Sequence, residues 1–444
     1  ERGEGAMGIL HSTPSIVVTL ARVALALSLS PLAAAAGAGV LFFSCPRRLW
    51  EVLVDESDKV DEKEKKKKRK VLAALLLVPI GALLSIPLGL ICGVFFALLC
   101  ALFGPGAPEE PLSCDSYSKT RHDTLSEEEV EATQLKKSEE ENLTFDAIEL
   151  EKGKHTLHCN IVAPKKKKPK GVMIVQHGLH CHGGAPRSLR VAIHFAKEGW
   201  ICYLPDCVGH GRSSGSWAVV ESLEDLAQNL AFVARECSNR HPGLPMFLNG
   251  ESMGGLLVLY SPNFMDQSTL EKVTGILAVC PALMVHDDAG DPIMEQFIRL
   301  WPLDLVKQIF PKFPATPGPK GNIFSSDEDL NTKAQESIDA DPLEYTGNTK
   351  FATATTFMQK LLTERARKEL LQTVMNLDKP LLILHGSGDR CVDIASSLEL
   401  YDGVKSTNKD LIQYEGKAHV LLSEDEATRT KFLSDMTTFA NNLI

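Results

Sequence analysis

The chain is short of positive charge: 47 Lys and Arg stand against 57 Asp and Glu, a net charge of −10 over 444 residues. A nucleic-acid partner, which would require a basic surface, is therefore not expected. Cysteine order is also missing. The 11 cysteines run from Cys45 to Cys391 without a repeated spacing, which excludes a disulfide framework and a zinc-ligand pattern. No internal repeat is present. With 32 Gly, 24 Pro and 44% hydrophobic residues, the composition is neither collagen-like nor that of a disordered chain. At about 150 residues per domain, the length admits up to about three domains, or one large domain with appendages. A mean hydropathy of −0.04 hides an uneven distribution, because apolar residues concentrate toward the N-terminus.

Residues 1–45 form an apolar segment in which 15–44 are interrupted by Arg22 alone. It reads as a membrane helix or a signal peptide, with the small-residue tract Ala33–Gly39 near a cleavage site; Met7–Ser12 also fit a loose myristoylation pattern. A charged loop, 46–70, ends in the basic run Lys65–Lys70. Residues 71–103 then carry 33 consecutive positions without a formal charge. A spanning helix needs about 20, so this segment is expected to be transmembrane or re-entrant. Two topologies stay open. If both runs span, the basic loop is cytosolic and everything beyond lies on the far side, where Asn142-Leu143-Thr144 is a usable glycosylation site. If the second run turns back at Pro79, Gly81, Pro87 and Gly89, the rest is cytosolic, the side that free cysteines favour. Either way the expectation is a membrane-associated protein with the membrane as a partner. An acidic linker, 104–141, then leads to the main domain, 142–444.

This domain alternates short apolar runs with amphipathic stretches. Strands are expected at His155–Val162, Gly171–Gln176, Ile201–Leu204, Met246–Leu248, Gly275–Val279, Pro380–Leu384 and Leu411–Tyr414, with helices such as Ser188–Glu198 and Leu223–Ser238 between them. The pattern predicts an α/β class fold, a mostly parallel central sheet with helices on both faces and its site at the strands' C-terminal ends. Lys165–Lys168, flanked by Pro164 and Pro169, reads as a charged hairpin tip.

Gly250-Glu251-Ser252-Met253-Gly254-Gly255 follows an expected strand and opens an apolar helix, Leu256–Tyr260. That is the setting of a G-x-S-x-G nucleophile elbow. So tight a turn strains the serine backbone, and a Cβ at the flanking glycines would collide with it. The Met253 amide, at the helix N-terminus, then faces a developing oxyanion. A serine nucleophile needs a histidine base and a carboxylate to orient it, and in this chain order the acid follows the serine and the histidine comes last. His385-Gly386-Ser387-Gly388-Asp389 and Glu415-Gly416-Lys417-Ala418-His419 each follow a strand. Ser252 is read as nucleophile, His419 as base and then acid, and Asp389 as orienter, with Asp393 a rival acid four residues on. The second oxyanion amide is expected in the loop His177-Gly178-Leu179-His180-Cys181-His182, from Leu179. Its three histidines invite a metal reading, but a glycine-rich loop with an oxyanion role is a poor metal site, and no metal or organic cofactor is expected. Asp206–Ser213 reads as a structural turn.

Taken together, these residues resemble the monoacylglycerol lipase-like α/β-hydrolases, which include lysophospholipases and caffeoyl shikimate esterase. The likeness covers about 145–444. It rests on His177-Gly178, Asp206…Gly209-His210-Gly211-Arg212-Ser213, Gly243-Leu244-Pro245, Glu251-Ser252-Met253-Gly254-Gly255, Asp341-Pro342, His385…Asp389 and Glu415-Gly416…His419. The resemblance implies ester hydrolysis through an acyl-serine intermediate. It places His177, Gly178 and Glu251 at the substrate, and it implies a helical cap over about 284–376 whose Phe297, Leu300, Trp301, Leu305 and Phe310 line an acyl tunnel or form the cap's own core. Many relatives carry Gly then Glu where this chain has His180 and Cys181, which puts recognition of the alcohol part in question. Pro262 is expected to shorten the elbow helix.

The expected function is a membrane-anchored serine ester hydrolase acting on monoacylglycerols or lysophospholipids. The alternatives are an esterase of a soluble aromatic, hydroxycinnamoyl-type ester, or a non-catalytic hydrolase fold used as a binding module.

Overall fold

A computed structural model describes residues 131–284, 303–309, 311–312, 314–316 and 323–444. The chain divides into two compact units. The larger takes in 108–301 and 311–444; of the other, 1–107 with 302–310, the described part is one short helix, Leu303–Ile309.

The larger unit runs α1 (Glu131–Glu139), β1 (Leu143–Lys152), β2 (His155–Pro164), β3 (Gly171–Gln176), α2 (Pro186–Lys197), β4 (Trp200–Pro205), α3 (Leu223–Arg240), β5 (Met246–Glu251), α4 (Met253–Tyr260), α5 (Gln267–Lys272) and β6 (Val273–Val279). It continues with β7 (Pro314–Thr316), α6 (Glu328–Ala340), β8 (Thr349–Lys350), α7 (Phe351–Phe357), α8 (Glu364–Met375), β9 (Leu381–Gly386), α9 (Ile394–Gly403), β10 (Lys409–Tyr414) and α10 (Glu426–Asn441). Eight strands form one sheet in the order β1-β2-β4-β3-β5-β6-β9-β10. β2 pairs antiparallel with β1 and β4, and the other neighbours are parallel.

The sheet is apolar on both faces, as a parallel sheet covered by helices must be. Side chains alternate across it: Val172 and Ile174 join one core with Leu226, Leu230 and Val233 of α3. Met173 and Val175 join the other with Leu189 and Phe195 of α2 and Phe432 and Met436 of α10. Caps fix where the helices begin. The Ser222 hydroxyl accepts from the Asp225 amide at the start of α3, and Asp327 does the same for α6 through Leu330.

The α/β-hydrolase core agrees with the sequence expectation; the N-terminal membrane segment does not. Among the described residues no helix is long and apolar enough to cross a membrane. The expectations of a membrane-anchored enzyme, a membrane partner and a membrane-associated localisation are corrected accordingly. The runs that carried them, 15–44 and 71–103, lie outside the described residues, as do 46–70 and most of 104–141. The physical reason is that an uncharged run states what a segment can be buried in, whereas a span requires a continuous helix of about 20 residues.

Three smaller differences follow from packing. The end of the expected linker is helix α1, held because Ala132 and Leu135 reach the second core and Glu131 and Glu139 pair with Arg190 and Lys197. Strand β1 carries no clear strand pattern because it is half exposed and its alternation is interrupted by charge, while its full ladder to β2 supplies its backbone partners. Lys165–Lys168 are exposed but do not tip a hairpin, since β4 lies between β2 and β3. The hairpin turn is instead at Gly153, whose φ of +61 a side chain would strain. Of the expected acyl-tunnel residues, Phe297, Leu300, Trp301 and Phe310 lie outside the described residues, and Leu305 falls in the short helix of the other unit.

Candidate active site

Ser252 joins β5 to α4 with φ +58 and ψ −119, a conformation that costs a non-glycine residue about 1–3 kcal/mol. The surroundings enforce it. The Ser252 amide donates to Val279 O at 2.9 Å, while its carbonyl accepts from the amides of Leu256 and Ala282, both at 3.0 Å. A Cβ on Gly250 would stand 2.1 Å from Gly254 O, and one on Gly254 would stand 2.2 Å from Gln176 O. Only glycine fits at either position. The elbow helix begins at Met253, three residues earlier than expected, and ends at Tyr260 before a 3-10 turn that contains Pro262.

Asp389 and His419 come together from loops after β9 and β10. His419 Nδ1 donates to Asp389 Oδ2 at 2.6 Å, and both side chains are buried. Asp389 Oδ1 accepts from the amides of Cys391 at 2.7 Å and Val392 at 3.0 Å. Burial alone would raise the Asp389 pKa, but hydrogen bonds from His385 and His419 outweigh it and hold the carboxyl well below the usual range. For His419, burial works to lower the pKa, and the hydrogen bond and charge of Asp389 override it, so the net shift is upward. With Nδ1 committed to Asp389, Nε2 is the nitrogen left for exchange with a substrate or with Ser252. No hydrogen bond between Ser252 and His419 is present among the described residues. Glu251, next to Ser252 in the chain, contributes to the electrostatics of His419. Asp393, the rival acid, is instead the N-cap of α9, accepting from the Ala395 amide at 2.8 Å.

The loop after β3 approaches the elbow closely: a Cβ on Gly178 would lie 3.3 Å from Ser252 Cβ. His177 is pinned at both ring nitrogens. Nε2 accepts from the Cys207 amide at 2.9 Å, so Nδ1 carries the proton and donates to Gly178 O at 2.7 Å. Burial, reinforced by nearby His210, holds its pKa well below the ordinary value and keeps it neutral. Because a peptide unit is planar, fixing the Gly178 carbonyl also fixes the direction of the Leu179 amide. Met253 opens α4, where a helix has amides without intrahelical acceptors. Further along the loop, His182 Nε2 pairs with Asp341 at 3.1 Å and Arg187 with Glu344 at 2.9 Å. Arg187 Nε also donates to Cys181 Sγ at 3.2 Å. Burial pushes the Glu251 carboxyl upward, with Arg187 opposing. Asp206 takes the structural part expected of it: Oδ1 accepts from the Gly183 amide and Oδ2 from that of Arg212.

Of these loop histidines, His177 has no free lone pair and His182 is tied to a carboxylate. Cys280, His385 and Asp389 place possible ligand atoms within 4.8 Å of one another, yet both Asp389 oxygens and both His385 nitrogens already have hydrogen-bond partners. The Cys280 thiol is pushed well up by burial. That donor set fits a hydrogen-bonded network better than a cation.

Sequence reasoning missed two groups. Glu424, fully buried, accepts from the amides of Ala418 at 2.7 Å and Ser326 at 2.9 Å and from the hydroxyls of Ser325 and Ser326, tying the His419 loop to 323–326. The His419 amide adds a bond to Ile323 O at 3.1 Å. Ser397 donates to His385 from α9. A glutamate five residues beyond the histidine carries no motif, and Ser397 reads as an ordinary helix residue.

A strained serine at a strand-to-helix elbow, with a buried histidine–aspartate pair from later strand ends, defines a serine hydrolase of the α/β-hydrolase class. Residues 167–426 match the family model described as serine aminopeptidase, S33, and the chain belongs to that α/β-hydrolase family. A monoacylglycerol lipase of Mycolicibacterium smegmatis is 27% identical over 58% of this chain and 84% of its own length. A caffeoylshikimate esterase of Arabidopsis thaliana is 29% identical over 60% of this chain and 76% of its own. Among solved structures, a soluble variant of monoglyceride lipase from Saccharomyces cerevisiae superposes with a TM-score of 0.54 at 19% identity, covering 66% of this chain and 94% of that one. That likeness speaks to the fold alone.

Proposed function

We propose that the protein hydrolyses carboxylic esters with an acyl or aromatic acid part, through an acyl-serine intermediate. His419 takes the Ser252 proton as the hydroxyl attacks the ester carbonyl carbon, then returns it to the departing alcohol. Water repeats the sequence to free the acid. Asp389 holds the imidazole in the tautomer with Nδ1–H and stabilises the imidazolium. The amides of Met253 and Leu179 receive the negative oxygen, and His177, Gly178 and Glu251 border the substrate. The observation that carries this reading is the buried 2.6 Å pair of His419 and Asp389, in the same chain as a serine held at φ +58. The names of the relatives, a monoacylglycerol lipase and a caffeoylshikimate esterase, support an ester substrate and frame its acid part between an acyl chain and an aromatic ring.

The test is hydrolysis by the purified full chain of a panel that pairs monoacylglycerols with hydroxycinnamoyl esters. The expected result is activity on one class or both, lost by about four orders of magnitude in Ser252→Ala with folding retained. A fluorophosphonate probe should label the wild type and leave that variant unlabelled. Hydrolysis that survives the Ser252→Ala change would end the proposal.

A further inference from the structure

His385 opens the motif that ends in Asp389, and the ester-cleaving sequence above gives its side chain no step. The imidazole is fully buried at the end of β9. Nε2 lies 3.2 Å from Asp389 Oδ2 and 3.3 Å from Val392 O, and Nδ1 lies 2.7 Å from Ser397 Oγ. A carboxylate and a carbonyl can only accept, so Nε2 carries the proton. Nδ1 is then the acceptor, and the Ser397 hydroxyl donates to it. The chain of bonds has one direction: Ser397 to His385, His385 to Asp389 Oδ2, with His419 Nδ1–H arriving at that same oxygen from the other side.

We propose that His385, set in its tautomer by Ser397, is a positioning residue of the ester-cleaving site: it shares Asp389 Oδ2 with His419 and thereby fixes both the direction and the strength of the bond that orients the base. The inference rests on the function proposed above. Two amides lock Asp389 Oδ1 and two imidazoles lock Oδ2, so the carboxylate cannot rotate to offer His419 a different acceptor. The second donor also draws part of the carboxylate's charge away from His419. The thiols of Cys280 and Cys391 are pushed up by burial, the latter to about 12. Burial raises the Glu251 carboxyl, and its charge favours protonation of His419. Arg187, whose charge reaches His419, opposes protonation of the base.

Removing the His385 donor would leave Asp389 wholly to His419 and make the imidazolium easier to form. The experiment is the pH dependence of kcat/KM for p-nitrophenyl butyrate, measured on the full-length wild type, His385→Leu, His385→Gln, Ser397→Ala and Ser252→Ala. His385→Leu is expected to move the acid limb up by about half a pH unit and lower kcat/KM at pH 7 by about tenfold. His385→Gln, which keeps a donor toward Asp389, should recover most of that loss. Ser397→Ala, which removes no packing volume to speak of, should shift the limb in the same direction by a smaller amount. An unmoved acid limb in both His385→Leu and Ser397→Ala would overturn the proposal, and so would equal losses in His385→Leu and His385→Gln, the sign of a packing role. If His385→Leu does not fold, an unmoved limb in Ser397→Ala alone overturns it. Ser252→Ala separates the two readings: if it retains turnover, the proposed function fails and this inference with it. If only the histidine and serine variants behave as wild type, the function stands and this inference falls.

Discussion

Two buried histidines, one beneath Asp389 and one in the loop after β3, are treated in opposite ways. His385 has partners at both ring nitrogens and an ordinary backbone. His180, one residue beyond Leu179, sits at φ +66 with 5% of its surface exposed and, among the described residues, no hydrogen bond to either ring nitrogen. Its ring approaches Tyr345 edge-on, with centroids 5.0 Å apart. Burial, helped by nearby His210 and Lys350, pulls its pKa down to about 3, so the ring is neutral. The contrast separates two kinds of order. Around Asp389 the polar atoms restrict one another to a single arrangement, as preorganised catalysis requires. At His180 the loop carries a local cost that other contacts must offset, including the bond from the Tyr345 amide to His180 O at 3.0 Å.

The largest break in that contrast is Asp389→Asn. An amide NH2 in place of Oδ2 would face two N–H donors, those of His385 and His419, and force one imidazole to turn or change tautomer. We expect kcat to fall by about 10⁴-fold, measured by steady-state kinetics, with the variant still folded because Asn Oδ1 can keep the two amide bonds. The wild type tests the same corner through pH. The His419 pKa is raised, so the acid limb of kcat/KM should lie above pH 6.5, the ordinary histidine value. The stability signs follow from linkage. The Asp389 carboxyl is depressed in the fold, so its contribution is present above its unfolded pKa and lost as pH falls below about 4. The raised His419 contributes fully below about pH 6.5 and loses that contribution as pH rises through its folded pKa. Denaturant titrations at several pH values read both.

Glu424→Ala comes next. It strips the acceptor from the buried Ala418 amide, from the more exposed Ser326 amide and from two hydroxyls at the base of the His419 loop. Unpaired buried donors cost about 1–3 kcal/mol apiece, partly recovered by water, so a net loss near 3 kcal/mol is expected. Turnover should fall by about tenfold as the imidazole loses its fixed approach. Thermal unfolding and kcat check the pair. A stability loss with unchanged kcat would show that Glu424 serves the fold and leaves His419 where it was.

How far the sequence reaches is set by the range of each interaction. The elbow was legible because its demands are local: Gly250 and Gly254 lie within two residues of Ser252, and their absent side chains avoid backbone atoms about 2 Å away. Asp389 and His419 were legible because each follows a run that reads as a strand, buried throughout in β9 and at the sheet edge in β10. Strand β1 and helix α1 were not, since both are half exposed and draw their stability from β2 and α2. Glu424 and Ser397 were hidden for a related reason: their partners, at 326 and 385, are set by tertiary contact and leave no spacing to read. The N-terminal runs mark the opposite error, in which a strong compositional signal was turned into a membrane architecture that the described residues do not support.

The smallest expected effect is the most informative about the other side of the comparison. His180→Gly should relieve about 1 kcal/mol of left-handed strain, together with the cost of a buried imidazole without hydrogen bonds, about 1–3 kcal/mol. Against this stand a ring–ring contact of about 0.5–1.5 kcal/mol and about 0.5–1 kcal/mol of added glycine entropy. Part of the ring's buried area is lost as well. The terms nearly cancel, so chemical denaturation should place the variant within about 1 kcal/mol of wild type, although truncating a well-packed buried ring usually costs about 3–5 kcal/mol. A loss beyond about 2 kcal/mol would mean that the imidazole is not an orphan in solution. It would then hold an ordered water between its nitrogens and the loop, the usual partner of a buried polar group that the protein leaves unsatisfied. His180 would in that case belong with His385 as a fully partnered group.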